Sequence, residues 1–221
     1  MPYLVKSTAF THGTFWYNSS MRLLHLLKSE AVRRGAIAPH AVLDAGLVYS
    51  LVRDMPYRRA SDRQPETIIT EWRGTCSGKH YLLQALFAEL GFKSQVMACT
   101  TVTPVEAKDV PEAYRALYEA ANRRFVDVHN YLLLELPGDS QMIVDATWPL
   151  SARKAGLPVN ETFVLGQDQA IAAEPLETWP IPAGRDPQEF KDELLRSQFS
   201  AAEIAFREEV IRALGEITGG G

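Results

Sequence analysis

The segment Trp72-Arg73-Gly74-Thr75-Cys76-Ser77-Gly78-Lys79-His80 sets a thiol just after a Gly-Thr pair, at the head of an apolar run. A cysteine in the first turn of a helix meets unpaired backbone N–H groups and the positive end of the helix dipole. Both favour an anion, so they lower the thiol pKa, and the thiolate is the reacting form. The same N–H groups can hold the oxyanion of a tetrahedral intermediate. Gly74 leaves no side chain in the way of an approaching carbonyl. A free cysteine is more often just a small buried apolar residue, and Cys99, mid-strand and without such a setting, is read that way. A phosphate loop at Gly74–Lys79 is excluded. That loop needs four residues between its glycines and Ser or Thr after its lysine, whereas here three residues intervene and His80 follows.

A nucleophilic thiol needs a base held in one tautomer by a third group. Of five histidines, His129 stands out, inside the apolar run Val126-Asp127-Val128-His129-Asn130-Tyr131. Asp145 sits in a second such run, Ile143-Val144-Asp145-Ala146-Thr147-Trp148. An Asp inside a strand is disfavoured and costly to bury unpaired. Two such violations on neighbouring strands point to a site. The register decides whether they meet. If Leu136 pairs with Gln141, Asp145 falls opposite Leu132, on the wrong face. A three-residue loop, Pro137–Asp139, pairs Leu136 with Ser140 instead. Asp145 then lies opposite Tyr131, diagonal to His129 and on its face. His80, one helical turn after Cys76, is expected to line the cleft. Cys76, His80, His129 and Asp145 also make a weaker candidate set for zinc.

These residues need elements to position them. Residues 1–18 read as an extended segment and Ser19-Ser20 as a helix cap, followed by helical spacing up to Gly35. A second helix is expected from Pro39 to just before Pro56, with Ala41, Val42, Ala45, Val48 and Val52 buried, and a loop over 58–67. The helix after Gly74-Thr75 is apolar nearly all round as far as Gly91, which marks a central, buried element. Ser94–Val102 alternates as a strand, Pro111–Arg124 suits a short helix, and Val126–Leu136 with Gln141–Thr147 reads as a hairpin. Residues 149–187 read as loop-rich wrapping, and Glu189–Ile217 as a long amphipathic helix interrupted near Ser200. The order gives an α+β domain over 1–188, core 39–150, with a C-terminal helical extension over 189–221.

Composition excludes several classes. The chain has 221 residues, 46 % apolar and 23 % charged, with net charge −4. That predicts one globular domain and neither nucleic acid nor an anionic membrane surface as partner. Two cysteines do not make a disulfide framework. No run approaches the roughly 20 apolar residues of a membrane span, and Met1–Lys6 lacks the start of a signal peptide. A reducing cytoplasm, with Cys76 a free thiol, is the expectation.

With these residues in place, the chain resembles the transglutaminase-like superfamily, in its bacterial branch. Arg53, Asp54 and Tyr57 match the family's lead-in helix. Gly74-Thr75-Cys76, with Leu82, Leu83, Ala85, Leu86 and Leu90-Gly91-Phe92, is similar to its nucleophile motif. His129 and Asp145-Ala146-Thr147-Trp148 fit its histidine and Asp-x-Thr motifs. The chain departs from the pattern at Asn130, where an aromatic residue is common, and at His80, where a small one is usual. The resemblance implies a papain-like core, with the nucleophile helix packed on an antiparallel sheet. It implies a Cys76-His129-Asp145 triad and acyl transfer through a thioester on a peptide, protein or small amide substrate, with no cofactor. Trp72, Gly74, Thr75, His80, Asn130 and Tyr131 are the candidates for the oxyanion hole and cleft. The alternatives are an inactive peptide-binding module of the same fold and the metal site.

Overall fold

The computed structural model describes residues 21–219; the extended segment and Ser19-Ser20 cap expected at the N-terminus lie outside them, as does the end of the C-terminal glycine tail. The fold is α+β. A first helix, α1 (Arg22–Arg33), buries Leu23, Leu24, Leu27 and Ala31. The second, α2 (Ala45–Asp54), starts later than Pro39 because Asp44 caps it, its carboxylate accepting from Leu47 N–H at 2.8 Å. Residues 39–44 are therefore not helical, and Val42 is exposed rather than buried. A short helix, α3 (Pro65–Glu71), occupies part of the expected 58–67 loop. Its signal was Pro65 at the first helical position, where the missing N–H costs nothing. Then comes α4 (Cys76–Glu89), with Cys76 as its first residue and Thr75 as N-cap.

The sheet has four strands in the order β3-β2-β1-β4, every pairing antiparallel. They are β1 (Ser94–Pro104), β2 (Arg124–Glu135), β3 (Gln141–Val144) and β4 (Glu177–Pro180). Between β1 and β2, helix α5 (Arg115–Ala120) follows two short 3-10 turns. The edge strand β4 lies in the stretch expected to be loop, being only four residues long and ending in proline. Beyond it, α6 (Pro187–Gln198) and α7 (Ala201–Gly219) break at Phe199-Ser200. Alternation divides the sheet. Val96, Ala98, Val128, Leu132, Leu134, Met142 and Val144 join the helices in the main core, while Met97, Cys99 and Tyr131 form a smaller cluster.

The hairpin takes the three-residue loop: Leu136 N–H donates to the Ser140 carbonyl at 2.8 Å, and Leu132 pairs with Val144. Carried one residue on, that register sets Asp145 opposite Tyr131. The strand itself ends at Val144, so Asp145 stands just past it rather than inside. There its N–H turns to the Gln169 side chain at 2.8 Å. The stretch of β2 before Leu132 is thus left without a strand partner on the β3 side. The head of α4 meets β2 at His129 and Asn130, whose side chains leave opposite faces of the strand: Cys76 lies near the first and Ser77 bonds to the second.

Helix α3 fixes the height of α4. A Cβ on Gly78 would stand 2.6 Å from Ile68 Cδ1, closer than carbon atoms pack. Gly78→Ala should therefore cost about 1–3 kcal/mol of stability despite its better helix propensity. Removing the clashing methyl with Ile68→Val in the same chain should recover part of that loss. Urea midpoints of both single variants and the double variant check it; strictly additive midpoints would rule the contact out.

Candidate active site

Polar clamps lock the first turns of α4. Lys79, fully buried, sends its ammonium to the Arg53 carbonyl at 2.8 Å and the Thr147 carbonyl at 3.0 Å. Burial lowers its pKa to about 7. His80, also fully buried, has Nδ1 2.7 Å from the Cys76 carbonyl, while its Nε2 accepts from Ala146 N–H at 2.9 Å. Those partners fix a neutral ring with its proton on Nδ1. Desolvation agrees, lowering its pKa to about 4. Ser77 Oγ–H donates to Asn130 Oδ1 at 2.9 Å, and the Asn130 amide donates to the Met97 carbonyl at 3.0 Å. The helix head is thereby tied to α2, to β1 and β2, and to the segment carrying Asp145.

That segment is held equally firmly. The Tyr49 hydroxyl and the Asn160 amide both donate to the Asp145 carbonyl at 3.0 Å. The Asp145 carboxylate accepts from Thr147 N–H at 2.9 Å, from Ala172 N–H at 2.8 Å, and meets His129 Nε2 at 2.8 Å. Burial works against its charge, but His129 and these donors hold its pKa far below the usual carboxylate range. The His129 ring has its other nitrogen left for the thiol, and ring and sulfur lie close enough to shift each other's pKa. Burial lowers the ring's pKa, yet Asp145 and Cys76 more than reverse this and raise it to about 10.

A fourth charge enters from α6. The Lys191 ammonium, only 3 % exposed, lies 3.6 Å from Cys76 Sγ, 3.2 Å from Ser77 Oγ and 3.8 Å from Asp127 Oδ1. Asp127 is itself paired with Arg207 of α7 at 2.6 Å. Burial pushes the Cys76 thiol up, but Lys191 and His129 outweigh it and bring its pKa down to about 6. The size of this effect is reasonable. A cation near 4 Å attracts an anion by about 4 kcal/mol at an effective dielectric of about 20, which is about three pKa units. Cys99 has no cation so close, and burial raises it to about 12.

The structure thus gathers Cys76, His129 and Asp145 and places the other candidates variously. Thr75 lines the cavity above the sulfur, about 230 Å³ in volume. His80 does not line it; both its nitrogens are spent inside the core, which also removes it as a metal ligand. Among the described residues no group of three or more His, Cys, Asp or Glu could hold a metal ion. Asn130 is fully buried and braces Ser77. Tyr131 packs with Met97 and Cys99 away from the cavity. Trp72 ends α3 in a left-handed turn and lies under Arg34, 5.1 Å from its guanidinium, so it is not beside the sulfur. Gly74 serves packing rather than access, since a Cβ there would meet Lys79 and Ile68 at 3.2–3.4 Å. Lys191, Asp127 and Arg207 were missed. Lys191 is four residues before Leu195, on the buried side of an amphipathic helix, and a charge there was the available signal.

No family model matches this chain, and neither a curated protein nor a solved structure does. Among the described residues, no helix is long and apolar enough to cross a membrane.

The charges set a pH window. The thiol's folded pKa is lowered, so its share of stability is complete above its unfolded value near 9 and is lost as pH falls through about 6. The imidazole's is raised, so its share is complete below 6.5 and lost as pH rises through about 10. Alkylation of Cys76 by iodoacetamide should follow a profile with its midpoint near pH 6. Lys191→Met, which keeps the packed stem, should shift that midpoint upward. An unmoved midpoint would mean that Lys191 does not tune the thiol.

Proposed function

We propose that this chain is a cysteine-dependent acyl-enzyme of transglutaminase-like type, with Cys76 as nucleophile, His129 as base and acid, and Asp145 as the group that orients and charges the imidazole. The observation that carries the proposal is the buried chain of contacts from Asp145 through His129 to a thiol of lowered pKa at the head of a helix. A helix led by its thiol and packed on an antiparallel sheet whose second strand carries the base is how we read a papain-like core here.

In the resting site the sulfur is a thiolate and the ring an imidazolium. The thiolate attacks the carbonyl carbon of a peptide or small amide. The carbonyl oxygen gathers negative charge and faces the unpaired N–H groups at the start of α4. Tyr57 lines the same cavity and its hydroxyl has no hydrogen bond among the described residues, which suits it as a second donor. Its ring is held against Trp148 at 4.4 Å. The intermediate collapses, the C–N bond breaks, and His129 gives its proton to the departing amine. A thioester remains on Cys76. Water then gives a proton to His129 and its oxygen to the acyl carbon, and the acid leaves as the thiolate returns. We favour water over an amine as acceptor, because no feature of the sequence marks an amine site.

Lys191 complicates the symmetry of a simple triad usefully. Its ammonium can remain near the sulfur through both steps and favours thiolate as the leaving group in the second. A strictly inert binding module has no need of a second cation on a buried thiol, so the charged cluster favours chemistry over passive binding.

Mixing the protein with p-nitrophenyl acetate should give a burst of nitrophenol and an acetyl thioester located on Cys76 by mass spectrometry. Cys76→Ala and His129→Ala should abolish both. Asp145→Asn should slow acylation by about a hundredfold or more, since the imidazole loses its orienting charge. Acetylation that is indifferent to His129 would discard the proposal.

A further inference from the structure

The cavity in front of Cys76 carries an unusual charge for this chain. Two of its cations, Lys191 and Arg207, are buried at its floor. Three more, Arg59, Arg63 and Arg196, line its sides. Against these five stand three carboxylates, Asp127, Asp192 and Glu208, and the Cys76 thiolate, so the cavity keeps a positive excess although the whole chain has net charge −4.

Two of those carboxylates are held in ion pairs and the third in a hydrogen bond to a neutral amide. Asp127 takes Arg207 at 2.6 Å and Lys191 at 3.8 Å. Glu208 takes Arg59 at 2.6 Å and Arg207 at 2.5 Å. Asp192 accepts the Gln188 amide at 2.6 Å. Arg63 and Arg196 are left over: neither has an ion pair or hydrogen bond among the described residues. They come from separate segments, the loop before α3 and the last turn of α6, yet line one space with the sulfur.

We infer that the acyl donor is a small amide bearing an anionic oxygen group, a carboxylate or a phosphate, which Arg63 and Arg196 receive while Cys76 attacks the carbonyl. This rests on the acyl-enzyme reading above and adds the substrate class. A planar guanidinium presents parallel N–H donors matched to such oxygens. The cavity volume of about 230 Å³ falls below the roughly 300 Å³ at which sites for drug-sized ligands begin. One amino-acid-sized acyl group fits that space, and a folded protein surface does not enter it. The positive field also draws an anionic substrate toward the mouth before contact.

Two reagents of nearly equal size separate charge from reactivity. The full chain is alkylated at Cys76 with iodoacetate and, separately, with iodoacetamide at pH 7 and low salt. The ratio of the two rates is compared with that for glutathione. The expected ratio is about tenfold higher than for the free thiol, the scale of one or two nearby cations acting across solvent. Arg63→Gln with Arg196→Gln, both exposed positions, should lower that ratio by slowing iodoacetate more than iodoacetamide. A ratio equal to that of glutathione, or one the double variant does not lower, overturns the inference. The iodoacetamide rate by itself judges the activated thiol, so the two readings fail separately. Succinate and inorganic phosphate, each tested as a protectant against iodoacetamide beside chloride of equal ionic strength, then tell carboxylate from phosphate. Protection by neither counts against the anion site.

Discussion

A sulfur anion buried among side chains persists only if a cation stands within a few ångströms of it. This fold supplies two, from a strand and a helix well separated along the chain. The imidazolium of His129 comes from the centre of the sheet and is charged by Asp145 behind it. The ammonium of Lys191 comes from a helix packed over the sheet afterwards. Asp127 and Arg207 complete the cluster, so that each buried charge has an opposite neighbour. Nearly every polar contact near the site follows from that requirement, because a group left unpaired here would cost more than its packing returns.

The early end of β3 frees Asp145 for the site. Had the strand run on past Val144, the Asp145 backbone would have stayed in the ladder with β2. Instead the backbone at Asp145 leaves the ladder and finds its partners in Gln169, Tyr49 and Asn160. One carboxylate can then serve a histidine on the sheet while its own main chain is gripped from three directions. His80 and Lys79 perform the matching task on the helix side. They look chemical in sequence, but they act as buried rivets. Each spends its polar atoms on main-chain groups in the core.

The parts of this arrangement that follow local rules could be read from the sequence. The buried helix led by Cys76 has its glycine approach and its apolar circumference. The hairpin has its alternation and a three-residue loop, and parity alone then brought Asp145 to the side of His129. Other parts depend on partners distant in sequence. Trp72, a candidate for the oxyanion hole, is carried away by a left-handed turn at the end of α3. Pro39 suggests an earlier start for α2 than the structure has, because Asp44 caps the helix at Ala45. The β4 strand has no pattern of its own and exists because β1 offers it an edge. Lys191 was invisible as a functional residue for a different reason: a lysine on an amphipathic helix is ordinarily solvated, and only the packing of α6 reveals what it faces.

The separation of Lys191 from Cys76 along the chain, 115 positions, has a temporal meaning. During synthesis the nucleophile, its base and its orienting acid all emerge before the lysine does. Until α6 docks, the sulfur lacks one of its two cations and keeps more of the proton affinity of an ordinary thiol. A half-made chain therefore carries this thiol without the ammonium that acidifies it, and the sulfur takes its final character only when the last helices have settled.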